Sequence, residues 1–209
     1  MSVPRIPVYI SADSLKVTVF GGGNAALRRC KHFDGAAIRV VSEKTVPGFE
    51  RFTEDIVRKP IDPSTAAEFI RGSQVVVVAT GDRDLDDAIR DVALSMDVLT
   101  CSANGGDDLH IPSMIRRDGY TISVSSDEDV TVFQDDVVGL IDRSLDKTYD
   151  LMLQLLVELR RDVRDYLPSQ ADRSRFLAAV MEDRGIWKLL EFNDLKRAHK
   201  RAMRMVEQE

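Results

Sequence analysis

Up to about residue 125, short runs of β-branched apolar residues alternate with longer amphipathic segments. The runs cover residues 17–20, 38–41, 75–78 and 98–101. An unbroken valine-rich run is what a strand buried on both faces requires, which is the habit of parallel sheets. Between the runs, apolar residues recur at helical spacing and predict helices over 24–33, 63–70 and 85–96. The β-α-β order predicts an α/β fold, a Rossmann-type doubly wound parallel sheet. One more strand is expected over 120–125, after the turn Arg117-Asp118-Gly119. Beyond it the pattern is helical from 130 to 164, with Pro168 and Gly185 as interruptions and Asn193 or Asp194 as a cap for the last helix.

Composition narrows the class. The 209 residues are 44% hydrophobic and 31% charged, an ordinary globular balance that excludes a disordered, collagen-like or disulfide-stapled chain. No run approaches the ~18 uninterrupted apolar residues of a membrane span. The first residues lack the long apolar core of a secretory signal, so none is expected. Cys30 and Cys101 lie far apart and outside any CxxC spacing, as reduced thiols of a cytoplasmic protein would. A formal net charge of -6 discourages non-specific nucleic-acid binding. The expected partner is a small molecule or a second copy of the chain, with no membrane. The cations of the last segment, Lys196, Arg197, Lys200, Arg201 and Arg204, read as a solvated face. Leu151, Leu155, Leu156 and Leu159 form a stripe that is core or dimer seam.

The main chemical signal is the turn after the first strand. Gly21-Gly22-Gly23-Asn24-Ala25-Ala26 reads as GxGxxA. Gly21 permits the tight turn, Gly23 lets a pyrophosphate approach the backbone, and Ala26 lets the helix pack close to the strand. The helix N-terminus then offers unpaired N–H groups and the positive end of its dipole. Gly22, Asn24 and Ala25 belong to the same candidate contact surface. About twenty residues on, Ser42 and Glu43 end the second strand, where a ribose-binding acid is expected. Glu43 favours NAD, while Lys44 could tolerate a 2′-phosphate. Thr80 and Gly81, after the third valine run, are expected on the cofactor side. Asp82 or Asp84 could equally cap the helix that follows.

These segments, with Pro7-Val8-Tyr9-Ile10 as a short leading strand, resemble the precorrin-2 dehydrogenase family, the dehydrogenase/ferrochelatase module of siroheme synthase. The resemblance rests on GGG with Ala26-Leu27-Arg28-Arg29, the ATGDRDLDDAI segment, a loop ending in Ile111-Pro112-Ser113-Met114-Ile115-Arg116-Arg117, and Arg173-Ser174-Arg175-Phe176-Leu177 in the tail. It implies NAD-dependent oxidation of precorrin-2 to sirohydrochlorin and, in some members, Fe²⁺ insertion; no resident metal is expected. It also implies a homodimer, an expectation that Met152 and Leu155 support as apolar surface on the tail. The corresponding organisation is an NAD-binding Rossmann domain over 1–112, a dimerisation segment over 113–148 and a helical domain over 149–209. The tetrapyrrole's carboxylate arms call for arginine forks, for which Arg28, Arg29, Arg116 and Arg117 are candidates beside an ordinary surface role.

The chain departs from the family pattern twice. Where the family has an aspartate after the fifth strand, this sequence has Asn104 or, counted back from Pro112, Ser102. An amide cannot act as a general base, so Asp107 or Asp108 would have to replace it; His110 is a base or a packed core residue. The family's Gly-Gly turn is replaced by Ser125-Ser126 followed by Asp127-Glu128-Asp129, acids that suit a helix start. An alternative is therefore a relative that binds dinucleotide without catalysis and acts as a regulatory partner of another tetrapyrrole-pathway enzyme.

Overall fold

A computed structural model describes residues 5–102, 108–126 and 130–206. The chain divides into two compact units, Pro4–Ile111 and a second built on Pro112–Glu209. Strands β1 (Lys16–Phe20), β2 (Ala37–Val41), β3 (Ile56–Val57), β4 (Val75–Val78) and β5 (Leu99–Ser102) form the sheet of the first unit. Their order is β3-β2-β1-β4-β5 and every pairing is parallel. Helices α1 (Asn24–Cys30), α2 (Pro63–Ile70) and α3 (Arg83–Ser95) cover both faces.

The period of two in each strand sorts the valines between two cores. Val17, Val19, Val40, Val75 and Val77 pack with Ala26, Cys30 and Phe33 on the α1 side. Phe20, Val41, Val76 and Val78 pack with Ala66 and Ile70 of α2 and Ile89 and Ala93 of α3 on the other. Each fully buried side chain of this kind contributes about 1.5–3 kcal/mol. That double burial is why the runs are continuous rather than alternating. Pro63 opens α2 at its first turn, where Asp62 accepts a hydrogen bond from the Ser64 N–H.

In the second unit, β6 (Ser113–Arg116) and β7 (Thr121–Val124) form an antiparallel hairpin turning at Gly119, whose φ is +100°. Helix α4 (Thr131–Ser144) packs on both strands. Ser113 donates to Asp135 at 2.6 Å and Arg117 pairs with Asp142. Helices α5 (Lys147–Asp162), α6 (Gln170–Glu182), α7 (Arg184–Glu191) and α8 (Leu195–Val206) follow. They close around Met152, Leu155, Leu159, Val163, Phe176, Val180, Ile186, Leu190, Ala198 and Ala202. Asp146, Ser169 and Asp183 cap α5, α6 and α7 through their side chains.

Several expectations are corrected. Residues 7–10 form no strand, and Val8 and Tyr9 are exposed. The loop expected to end at Arg117 contains β6, while β3 went unexpected. The helix over 24–33 ends at Cys30 and passes into a 3-10 turn, Lys31–Phe33. The segment 130–164 is two helices separated at Leu145 and Asp146. Gly185 lies inside α7; the break falls at Asp183. Asp194, not Asn193, caps α8, accepting from the Arg197 N–H at 3.1 Å. The leucine stripe is core, and Met152 and Leu155 are 2% and 0% exposed inside the helical unit. They are therefore no argument for a dimer. No described helix is long and apolar enough to cross a membrane.

Candidate functional site

Strands β1 and β4 are neighbours, yet the chain leaves β1 toward β2 on one side and β4 toward β5 on the other. The crevice at the carboxyl ends of such a pair is where ligands of open α/β sheets bind. Gly21 N–H donates to the Val41 carbonyl at 3.1 Å, and Ala79 N–H to the Phe20 carbonyl at 2.9 Å. With φ at +126°, a Cβ on Gly21 would stand 2.2 Å from the Ala79 carbonyl oxygen, so the two turns touch through bare backbone. A Cβ on Gly22 would meet the Lys44 carbonyl oxygen at 1.9 Å. Ser42, buried, donates to that same oxygen at 2.8 Å. Of the expected contacts, Gly21, Gly22 and Ser42 thus hold the floor together.

Gly23 is different. It is exposed and a Cβ there would meet nothing within 4 Å. As N-cap of α1 it contributes no side-chain acceptor, whereas α2 and α3 have Asp62 and Asp82. The first N–H groups of a helix lack intrahelical partners. Those of Asn24 and Ala25 receive no side-chain cap at the positive end of α1, which is the arrangement a pyrophosphate cradle requires. Glu43 is exposed beside it at the exit of β2.

After β4, Thr80 Oγ1 lies 2.5 Å from Asp86 Oδ1, which also accepts from the Thr80 N–H at 3.0 Å. Asp82 caps α3 by accepting from the N–H groups of Asp84 and Leu85. The Thr80 hydroxyl is thus engaged within the protein. Gly81, with φ at +88° and nothing within 4 Å of a Cβ, leaves its backbone open. Asp86 is 3% exposed and was missed from sequence. Its signal is an acid on the apolar stripe of α3, three and seven residues before Ile89 and Ala93.

Beyond β5, Asp108 Oδ2 accepts from the Thr100 N–H at 3.2 Å and from Thr100 Oγ1 at 3.0 Å. Asn104 and Asp107 lie outside the described residues, as does the acidic run 127–129. Arg29, half-buried, donates to the Ser102 carbonyl at 2.9 Å, tying α1 to the end of β5. Arg28 is exposed. In the second unit Arg116 is exposed, and the Asp142 carboxylate beside Arg117 raises the guanidinium pKa further. Burial pushes the Cys30 thiol up to about 11, which leaves it protonated and inert.

The pattern of the family described as "Putative NAD(P)-binding" matches residues 8–113. Among curated proteins, the chain is 26% identical over 190 residues to the precorrin-2 dehydrogenase of Methanosarcina barkeri, covering 87% of this chain and 85% of that one. It is 24% identical over 159 residues to the precorrin-2 dehydrogenase of Bacillus subtilis, covering 75% and 98%. Against the siroheme synthase of Psychrobacter cryohalolentis it is 24% identical over 183 residues, 84% of this chain but 34% of that larger protein. The solved structure of SirC, a precorrin-2 dehydrogenase, superimposes with a TM-score of 0.76 at 20% identity, covering 98% of this chain and 100% of the other, and so shares the fold. The family match spans half of the chain and contains the β1–β4 crevice with its open glycine cradle. The chain belongs to this NAD(P)-binding family.

Proposed function

We propose that the chain oxidises precorrin-2 to sirohydrochlorin with NAD as acceptor. The observation that carries this is its alignment along 87% and 75% of its length with two proteins named precorrin-2 dehydrogenase. The oxidation removes a hydride and a proton from the substrate. A bound NAD supplies the hydride acceptor. Gly23 and the N–H groups of Asn24 and Ala25 would hold its pyrophosphate, Glu43 would accept from the ribose hydroxyls, and the Gly81 backbone would lie on the cofactor side. The proton goes to a carboxylate after β5, Asp107 or Asp108. Thr100 fixes one oxygen of Asp108 and leaves Oδ1 without a hydrogen-bond partner among the described residues. A positioned base contributes ~10²–10⁴-fold to such a step.

Of the four arginines, Arg28 in the first unit and Arg116 in the second each make no ion pair among the described residues, which leaves either guanidinium available to a carboxylate. Arg29 and Arg117 are committed in part to Ser102 and Asp142. A homodimer belongs to the same reading. Its support is Phe133 and Leu140, one heptad apart on α4 and 58% and 53% exposed. Light scattering that finds only the 23.4 kDa monomer at micromolar concentration overturns that part.

The test is anaerobic mixing of the purified chain with precorrin-2 and NAD, followed by absorbance of NADH and of sirohydrochlorin. One NADH per sirohydrochlorin is expected. NAD binding without either product overturns the dehydrogenase and favours the non-catalytic regulatory relative.

A further inference from the structure

The next inference rests on the dinucleotide reading and concerns which dinucleotide the site admits. Val41 and Val57 are register partners at the ends of β2 and β3, and the Ser42 N–H donates to the Val57 carbonyl at 3.1 Å. The two exits, Glu43-Lys44-Thr45 and Arg58, therefore leave the sheet side by side. In this fold the exit of β2 is where the adenosine ribose lies. An acid there accepts from the 2′-hydroxyl of NAD and repels the 2′-phosphate of NADP. Here the acid has two cations for neighbours.

Arg58 is exposed and turns toward the β2 exit, with Nη1 3.5 Å from Thr45 Oγ1. Lys44 is exposed as well, and its backbone is pinned by the Ser42 hydroxyl on its carbonyl. Neither cation forms an ion pair among the described residues. Two unpaired cations and one carboxylate leave this rim with a net positive charge, on a chain that is -6 as a whole. Arg presents a planar fork suited to phosphate, and Lys a point charge.

We propose that the ribose end of the site is dual. Glu43 takes the 2′-hydroxyl of NAD, and Arg58, with Lys44 beside it, takes the 2′-phosphate of NADP. The chain then binds both dinucleotides with dissociation constants within about tenfold of each other.

Calorimetric titration of the full chain with NAD and with NADP at low salt tests this, on wild type, Arg58→Ala and Glu43→Gln. Arg58→Ala is expected to weaken NADP about tenfold or more, the scale of a hydrogen bond to a charged group, and to leave NAD within about twofold. Glu43→Gln is expected to weaken NAD and to leave NADP unchanged or tighter. Added salt should weaken NADP more than NAD. Circular dichroism checks that the variants fold, which the exposure of both side chains favours. Binding of NAD with no measurable binding of NADP overturns the inference while sparing the dinucleotide site. So does an Arg58→Ala variant that weakens both ligands equally. If the wild type binds neither, the cofactor reading falls together with this inference.

Discussion

Replacing Gly23 with aspartate separates ligand binding from folding, because the two are expected to move in opposite directions. A Cβ at this position would meet no protein atom within 4 Å, so the fold has room for a side chain to begin there. Aspartate is also a preferred N-cap, able to accept from the first-turn N–H groups of α1 that lack a side-chain acceptor. Stability without ligand should therefore hold or rise by a few tenths of a kcal/mol. The same carboxylate would occupy the cradle proposed for pyrophosphate. Two like charges about 4 Å apart repel by about 4 kcal/mol at an effective dielectric constant of 20. That is a ~10³-fold loss of affinity, and still ~30-fold if solvent halves it. Urea unfolding without ligand and calorimetric titration with NAD measure the two quantities on one preparation. Retained affinity would falsify the assignment of the cradle. Lost affinity with a destabilisation above about 1 kcal/mol would move Gly23 into the scaffold with Gly21 and Gly22.

Gly22→Ala should do the reverse and destabilise the first unit by about 1–3 kcal/mol or more, because its Cβ would stand 1.9 Å from the Lys44 oxygen; an unchanged denaturation midpoint counts against that packing. Asp86→Ala strands the Thr80 N–H, costs about 1–3 kcal/mol and weakens dinucleotide binding by loosening the β4 turn; unaltered stability would deny the carboxylate its role as anchor. Arg201 and the Ile186 N–H hold the Asp183 carboxyl below its ordinary value of 3.8, so its contribution is fully present above that pH and is lost as the pH falls through the lowered folded value. Asp183→Asn should flatten this acid limb of the stability curve, and an identical acid limb in both proteins refutes the linkage. Cys30 and Cys101 should resist a thiol reagent at pH 8 until the chain unfolds, since both are buried and burial holds the Cys30 thiol at about 11; rapid native-state labelling would contradict that burial.

What could be read from sequence follows the physics of each element. The runs at β1, β2, β4 and β5 are legible because burial on two faces favours apolar residues without strict alternation, completely so in β4 and with Thr18, Arg39 and Thr100 as exceptions in the others. Two-residue β3 is too short to show a period, and β6 mixes Ser113 and Arg116 with apolar neighbours, as a hairpin half-open to solvent permits. The break between α4 and α5 carries no glycine or proline; an aspartate cap does the work, and Asp146 looks in sequence like any surface acid. Gly185 misleads in the opposite sense. A Cβ there would lie 2.7 Å from the Arg201 Cζ, so the missing side chain makes room for the guanidinium that grips Asp183. The glycine cradle, Glu43 and the β4 turn are local in sequence and could be picked out as candidates. Asp86 shows in sequence only as an acid on the apolar stripe of α3, and the Arg29–Ser102 tie, between residues 73 apart in the chain, depends on packing and could not be read.

The contact between the turns that follow β1 and β4 also sets how the site behaves in time. The Gly21 and Ala79 amides continue the sheet's ladder by one rung beyond the strands. Amides in such a rung are released only with the sheet itself, so their hydrogen exchange should be as slow as that of Val19 or Val77. The Gly23 amide, two residues past the ladder, should exchange freely until a ligand arrives. That exchange pattern is the one expected of a crevice ordered before it is filled. A dinucleotide entering it spends none of its binding energy on ordering the floor.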